Sequence, residues 1–343
     1  MQPLFRHSRA KNVRSMSNKF LILCCALPAL LAAAAPGPTP TFAQTSDAEG
    51  FTPARLLAAA RSWGYQLQEL DPDEIAAIPY DMIVVDYSRD GSDALALTPA
   101  EVDLLRSKPD GSRRIVLAYL SIGEAERYRY YWKRYWSWFF GALAPGWRGP
   151  QNHDWRGNYG VRYWRDDWQN IIFRGDDSYL GRIIKSGFDG VYLDKVDEYV
   201  DMAKTNRNAR AEMIAFVKRL AAHARAIKPG FLVVPQNGEE LLTDAGYRAV
   251  IDGLGKEDLL FGESKNTRPN DPQSIKANVA LLHLLTSDHK PVFAVEYLDA
   301  PAQIDDARRR LLAYGFVPYF ADRALDHMRI GDLPDPARSP GKR

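Results

Sequence analysis

GFDGVYLDKVDEY, residues 187–199, opens as an apolar run and closes with three acids in five residues, Asp194, Asp197 and Glu198. The run GVYLD (190–194) is continuous in Val, Tyr and Leu rather than alternating. Such a run is expected of a parallel strand covered on both faces. A carboxylate at its end is costly unless it is paired or used. Its placement makes sense in a fold that collects strand ends on one face, and the (β/α)8 barrel does this.

The rest of the chain fits that frame. Seven further strand-like runs are YQLQEL (65–70), DMIVVDYS (81–88), RIVLAYLSIGE (114–124), FLVVPQNG (231–238), RAVIDGLGKE (248–257), PVFAVEYL (291–298) and FVPYF (316–320). Helical patterns precede or separate many of them, at 53–64, 98–107, 208–230, 274–288 and 301–315. The second begins with Thr98 and has Glu101 three residues on, a capping box. Strands alternating with helices predict an α/β fold of the (β/α)8 TIM-barrel type. A doubly wound open sheet is the competitor, but no GxGxxG follows the first strand. Residues 125–186 are too long for a single crossover and hold seven of the eight tryptophans: Trp132, Trp136, Trp138, Trp147, Trp155, Trp164 and Trp168. We read them as an aromatic-rich insertion between strands 3 and 4. It either packs on itself or walls a sugar-binding cleft.

The N-terminus is set apart. Residues 1–19 hold five basic side chains and no acid, FLILCCALPALLAAAA follows, and a Pro-rich spacer ends in TFAQ. This is the pattern of a secretory signal peptide, residues 1–43, cut after Ala43 or, second, after Ala35. The apolar run falls short of the ~20 residues of a spanning helix, so no membrane association is expected after cleavage. Both cysteines, Cys24 and Cys25, lie in that segment, so the mature chain has no thiol chemistry. Removing five basic residues from a chain of net charge +2 leaves about −3, and nucleic-acid binding loses its support. The barrel is expected over 53–328, and the charged, Pro-rich 331–343 as a disordered tail.

Reading the end of each strand gives the candidate site. The second offers Asp86 and Tyr87, and the third Ser121 and Glu124. The fourth offers Asp194 with Asp197 beyond it, and the fifth Gln236, Asn237 and Glu239. The sixth offers Glu257, and the seventh Glu296 and Tyr297. Any one of these acids can be a helix cap or loop ion pair, and Asp197 and Glu198 can cap the next helix. A concave rim of carboxylates and amides beside aromatic rings also suits glycoside hydrolysis. There one carboxyl protonates the leaving oxygen while the other attacks or activates water. Other chemistries lack their residues: GxSxG, HExxH and a P-loop are absent, and the strand ends carry no histidine for a metal triad. No cofactor or metal is expected.

WGYQLQELDPDEIAAIPYDMIVVDYSRDG, YLSIGEAERYRYYW, GNYGVRYWRDDWQNIIF, GFDGVYLDKVDEY, DGLGKEDLLFG and VFAVEYL, in this order, resemble glycoside hydrolase family 114 over roughly residues 55–325. That family is associated with endo-α-1,4-polygalactosaminidase and has a TIM-barrel fold. The likeness implies that Asp194, with Asp197 as its neighbour, and Glu257 are the catalytic carboxyls. Asp194 would be the nucleophile, or the base if the enzyme inverts, and Glu257 the acid, with these roles exchangeable. Asp86, Tyr87, Glu124, Trp164, Asp197, Gln236, Asn237, Glu296 and Tyr297 are the expected contacts to a polysaccharide or oligosaccharide substrate. Two positions depart from the pattern. Lys195 stands where Asn or Thr is common, and Lys256 precedes Glu257 where Asn is usual. Free lysines there would repel a cationic galactosamine polymer. They favour a neutral, acetylated or anionic sugar, or a barrel that binds polysaccharide without cleaving it.

Overall fold

The computed structural model describes residues 52–330 except 138–142, Asp176 and 263–266. The expected signal peptide and spacer, the polar lead-in through residue 51, Trp138 and the tail 331–343 lie outside the described residues. The strands are β1 (Trp63–Gln66), β2 (Met82–Val85), β3 (Ile115–Ser121), β4 (Glu124–Glu126), β5 (Arg148–Gln151), β6 (Asn158–Val161), β7 (Gly190–Asp194), β8 (Leu232–Pro235), β9 (Leu254–Glu257), β10 (Val292–Glu296) and β11 (Val317–Phe320). The helices are α1 (Pro53–Ala59), α2 (Pro72–Ala76), α3 (Pro99–Arg106), α4 (Asp166–Ile172), α5 (Tyr179–Lys185), α6 (Tyr199–Met202), α7 (Ala209–Ile227), α8 (Ala245–Val250), α9 (Pro272–Ser287) and α10 (Pro301–Ala313).

Eight of the strands form a (β/α)8 barrel. Parallel ladders run in the order β1-β2-β3-β7-β8 and β9-β10-β11. The Gln236–Gly255 bridge and the Asn237 N–H to Gly255 O bond (2.8 Å) join β8 to β9. On the other side the Trp63 indole N–H of β1 donates to Val317 O of β11 at 3.1 Å. The interior shows the same closure. The Trp63 ring meets Tyr192 of β7 (6.2 Å), Phe293 of β10 (5.7 Å) and Tyr319 of β11 (5.4 Å). A side chain of the first strand can reach the fourth, seventh and eighth only across an enclosed core.

Local chemistry explains the outer layer. Helices α1, α2, α3, α9 and α10 start on proline, whose fixed φ and missing N–H suit the first turn. The expected capping box forms: Thr98 N–H donates to Glu101 Oε2 (2.7 Å), and Glu101 N–H to Thr98 Oγ1 (3.3 Å). Several boundaries moved, among them that of the first helix, which ends at Ala59 rather than 64 and leaves Trp63 and Gly64 to β1. The first strand covers Trp63–Gln66 rather than 65–70, because the Leu67 and Gln68 amides turn away to bond Leu325 O. Residues 248–250 of the expected sixth strand belong to α8, whose start Asp244 caps by accepting from Tyr247 N (2.7 Å).

The segment after β3 contains an antiparallel sheet, β4-β6-β5, followed by α4. Its tryptophans mostly pack on one another: Trp132 on Trp136 (5.4 Å), Trp136 on Trp147 (5.2 Å) and Trp147 on Trp168 (4.7 Å), all buried. The insertion therefore adds a cluster of aromatic rings to the barrel's core, tied to it by the Trp168 indole N–H, which donates to Ile122 O at 2.9 Å.

Candidate active site

Side chains alternate across each strand, and this parity decides which strand-end residue reaches the mouth. On β7, Tyr192 and Asp194 share the inner face, and Tyr192 pairs in register with Tyr119 of β3. On β9, Gly255 and Glu257 share it. A Cβ at Gly255 would overlap the Tyr192 hydroxyl, so the glycine makes room for that ring. Asp194 and Glu257 thus end the fourth and sixth barrel strands, with a floor of Tyr65, Tyr119 and Tyr192 below them. Tyr65 lies 5.3 Å from Tyr192, ring to ring.

Each carboxylate is held by a tyrosine. The Tyr119 hydroxyl donates to Asp194 Oδ2 at 2.6 Å, and Lys195 N–H donates to Oδ1 at 2.7 Å. The Tyr297 hydroxyl donates to Glu257 Oε1, and Asn237 Nδ2 reaches Oε2 at 3.4 Å. The Asn237 Oδ1 accepts Glu257 N–H at 3.1 Å. Asn237 itself sits at φ 57°. Burial pushes the Asp194 carboxyl up to about 7, and the neighbouring Glu257 charge adds to this, while the Tyr119 bond opposes it. Burial raises Glu257 as well, against its bonds from Tyr297 and Gln236. Among the described residues neither carboxylate makes an ion pair. Two coupled acids without cation partners at neutral pH can hold one proton between them, the state that acid–base chemistry needs.

The acids at the opposite end of the barrel differ. Asp189 pairs with Arg106 (3.1 Å) and Arg113 (2.8 Å), and Asp252 with Arg225 (2.7 Å). There carboxylates serve stability, as expected for that face.

The remaining expected contacts fall into two groups. Gln236 is buried beside the pair and accepts from the Tyr65 hydroxyl at 3.4 Å. Asp197 is half-buried in the 3-10 turn Val196–Glu198, and neither it nor Glu198 caps the next helix. Glu124 stands on the rim but is engaged by Asn152 Nδ2 (2.7 Å) and Lys195 Nζ (3.3 Å). Four others have partners elsewhere. Asp86 is buried and bonded by Arg129 at 2.7 Å and 2.8 Å. Tyr87 has the opposite parity, packs on Tyr179 of α5 and bonds Asp93 (3.2 Å). Glu296 also faces out of the barrel. It is fully buried and accepts from Leu260 N (2.8 Å) and Phe261 N (3.2 Å). Trp164 is half-buried with its ring edge-on to Tyr163 at 5.2 Å. The expectation of free lysines is corrected. Lys195 Nζ bridges Glu124 and Glu198 (3.3 Å and 3.4 Å), and Lys256 Nζ pairs with Glu239 (3.1 Å).

Sequence reading missed Tyr65, Tyr119 and Tyr192, and the buried Glu126–Arg129 pair (2.6 Å) behind Tyr119. Tyr192 was signalled by its spacing, two residues before Asp194 on one strand face. The Glu126–Arg129 pair was signalled by i,i+3 spacing in ERYR (126–129). Among the described residues no group of three or more His, Cys, Asp or Glu is arranged to hold a metal ion, and no helix is long and apolar enough to cross a membrane.

Comparison with known proteins follows this geometry. The sequence model of glycoside-hydrolase family GH114 matches residues 39–332. An uncharacterised protein of Deinococcus radiodurans is 38% identical over 277 residues, 79% of this chain and 83% of that protein. One of Methanocaldococcus jannaschii is 36% identical over 283 residues, 78% and 77% of the two chains. Among solved structures, the glycoside hydrolase domain of PelA from Pseudomonas aeruginosa superposes with a TM-score of 0.58 at 20% identity, covering 78% of this chain and 97% of that domain. The chain belongs to glycoside-hydrolase family GH114, and its class of activity is glycoside hydrolysis.

Proposed function

We propose that the protein is exported and cleaves an α-linked polysaccharide, with Asp194 and Glu257 as the two working carboxyls. The observation that carries this is the pair itself. Asp194 and Glu257 end the strands on either side of β8, the Glu257 charge raises Asp194, neither makes an ion pair among the described residues, and each is oriented by a tyrosine hydroxyl. One delivers a proton to the leaving glycosidic oxygen. The other, ionised, attacks the anomeric carbon or takes a proton from water. Tyr119 and Tyr297 hold both carboxylates against rotation while the proton moves.

An amino-sugar polymer of the galactosamine type fits this rim. Lys195 and Lys256 are neutralised by Glu124, Glu198 and Glu239, so they do not repel an ammonium group. Asp197 stands half-buried beside Lys195, Lys256 and Glu239 and adds a further acid to the rim. The same pairing removes the main support for a binding protein without catalysis. Release of reducing ends tests the proposal. The chain from residue 44 onward is incubated with α-linked amino-sugar polymers, free and acetylated, and with neutral and acidic glycans. Turnover of one polymer that disappears in both Asp194→Asn and Glu257→Gln supports it; full activity in either variant sinks the assignment. The N-terminal sequence of protein recovered outside the producing cell checks export and the cut after Ala43.

A further inference from the structure

Most aromatic side chains of the insertion are buried or half-buried, and Trp155 and Tyr128 are the most exposed among those described. Trp155 is 61% exposed and Tyr128 is 53% exposed. Leaving an indole in water on a mobile loop would have little consequence, but this loop is fixed. Asn152 Oδ1 accepts from Asp154 N (2.9 Å) and Trp155 N (3.3 Å), and Asn158 N–H donates to Trp155 O (3.0 Å). Arg127 N–H donates to Gly157 O at 3.0 Å, tying the loop that carries Trp155 to the segment that carries Tyr128.

Both rings are also tied to the reacting carboxylate. From Trp155 the links run through Asn152 and Asn158 to Glu124 (2.7 Å and 3.4 Å), from Glu124 to Lys195 Nζ (3.3 Å), and from Lys195 N–H to Asp194 (2.7 Å). From Tyr128 the hydroxyl donates to Glu126 (2.7 Å), which lies 3.4 Å from the Tyr119 hydroxyl, the donor to Asp194. Arg129 lies 4.6 Å over the Tyr128 ring and fixes its orientation. The hydroxyl is held inside while the residue remains half in solvent. Two exposed rings on segments hydrogen-bonded to the mouth are suited to contact without chemistry. The C–H face of a pyranose is apolar and matches an aromatic face.

We propose that Trp155, on a loop bonded through its backbone to the segment that carries Tyr128, is a stacking platform for a pyranose ring of the polysaccharide, away from the bond being cut. The proposal rests on the glycosidase reading above. It gives the insertion a role in holding long chains, which the mouth alone does not supply.

The test is electrophoresis of the full chain in gels containing one polysaccharide each: free α-1,4-galactosaminan, its N-acetylated form, amylose and polygalacturonate. An Asp194→Asn parent is used so that nothing is cleaved. The expected result is retardation of the parent by one polymer, an affinity about tenfold lower in the added Trp155→Ala variant, and recovery of most of it with Trp155→Phe. A Trp155→Ala variant retarded as strongly as its parent overturns the platform alone. A parent retarded by none of the polymers overturns the platform and the glycosidase reading together.

Discussion

Replacing Tyr119 by Phe removes one oxygen and one bond, the 2.6 Å donation to Asp194 Oδ2. The ring stays, so the barrel floor keeps its packing. Burial and the Glu257 charge push the Asp194 carboxyl up to about 7, and the Tyr119 bond holds it from going higher. A hydrogen bond to a charged group is worth ~1.5–3 kcal/mol. At 1.36 kcal/mol per pH unit this corresponds to about one to two units. The sign is upward, because the lost bond favoured the ionised form. If Asp194 works ionised, the acid limb of kcat/KM against pH moves up by that amount. An Asp194 that is about half ionised at pH 7 then falls to between about a tenth and a hundredth, and activity there drops about five- to fiftyfold, with recovery at pH 9 and above. If Asp194 works as the proton donor, the alkaline limb moves up instead. The assay is the pH profile of reducing-end release for the wild type and Tyr119→Phe. The limb that moves names the role of Asp194. Two unmoved limbs, or a downward shift, would refute the coupling of Tyr119 to the reaction.

Other perturbations follow from the same contacts. Because the folded-state Asp194 carboxyl is raised to about 7, folding takes up a proton and stability falls as pH rises from about 4 through 7. Asp194→Asn should therefore melt higher than wild type at pH 8, with the difference vanishing near pH 4, as read by thermal denaturation. Arg129→Met leaves Asp86 and Glu126 buried and unpaired and should cost ~3–5 kcal/mol in denaturant unfolding. Gly255→Ala drives a methyl into the Tyr192 hydroxyl two residues from Glu257, so ~1–3 kcal/mol of stability and most of the turnover should be lost together. Glu296→Ala frees the amides of Leu260 and Phe261 and should lower the melting temperature. A variant with wild-type stability and a raised KM would instead make Glu296 a substrate contact.

The sequence by itself determined the barrel and put Asp194 and Glu257 at the ends of two of its strands. Continuous apolar strands, prolines at helix starts and a capping box at Thr98 are local signals, and short-range sterics and hydrogen bonding enforce them. Asp194 and Glu257 were legible because each closes such a strand. The insertion was legible as a tryptophan-rich interruption, but not as a sheet that buries most of those rings. Tertiary structure decided what the other polar residues do, because a charge is defined by what stands opposite it. Lys195 and Lys256, troubling as free cations in the sequence, are neutralised by Glu124 and Glu239 from elsewhere in the chain and, for Lys195, by Glu198 three residues on. Strand parity turned Tyr87 and Glu296 outward, one residue away from the inward faces that end in Asp86 and Tyr297. It set Tyr119, 75 residues from Asp194 in sequence, beneath that carboxylate. Such pairings depend on the register between strands joined by long crossovers, which a linear pattern does not encode.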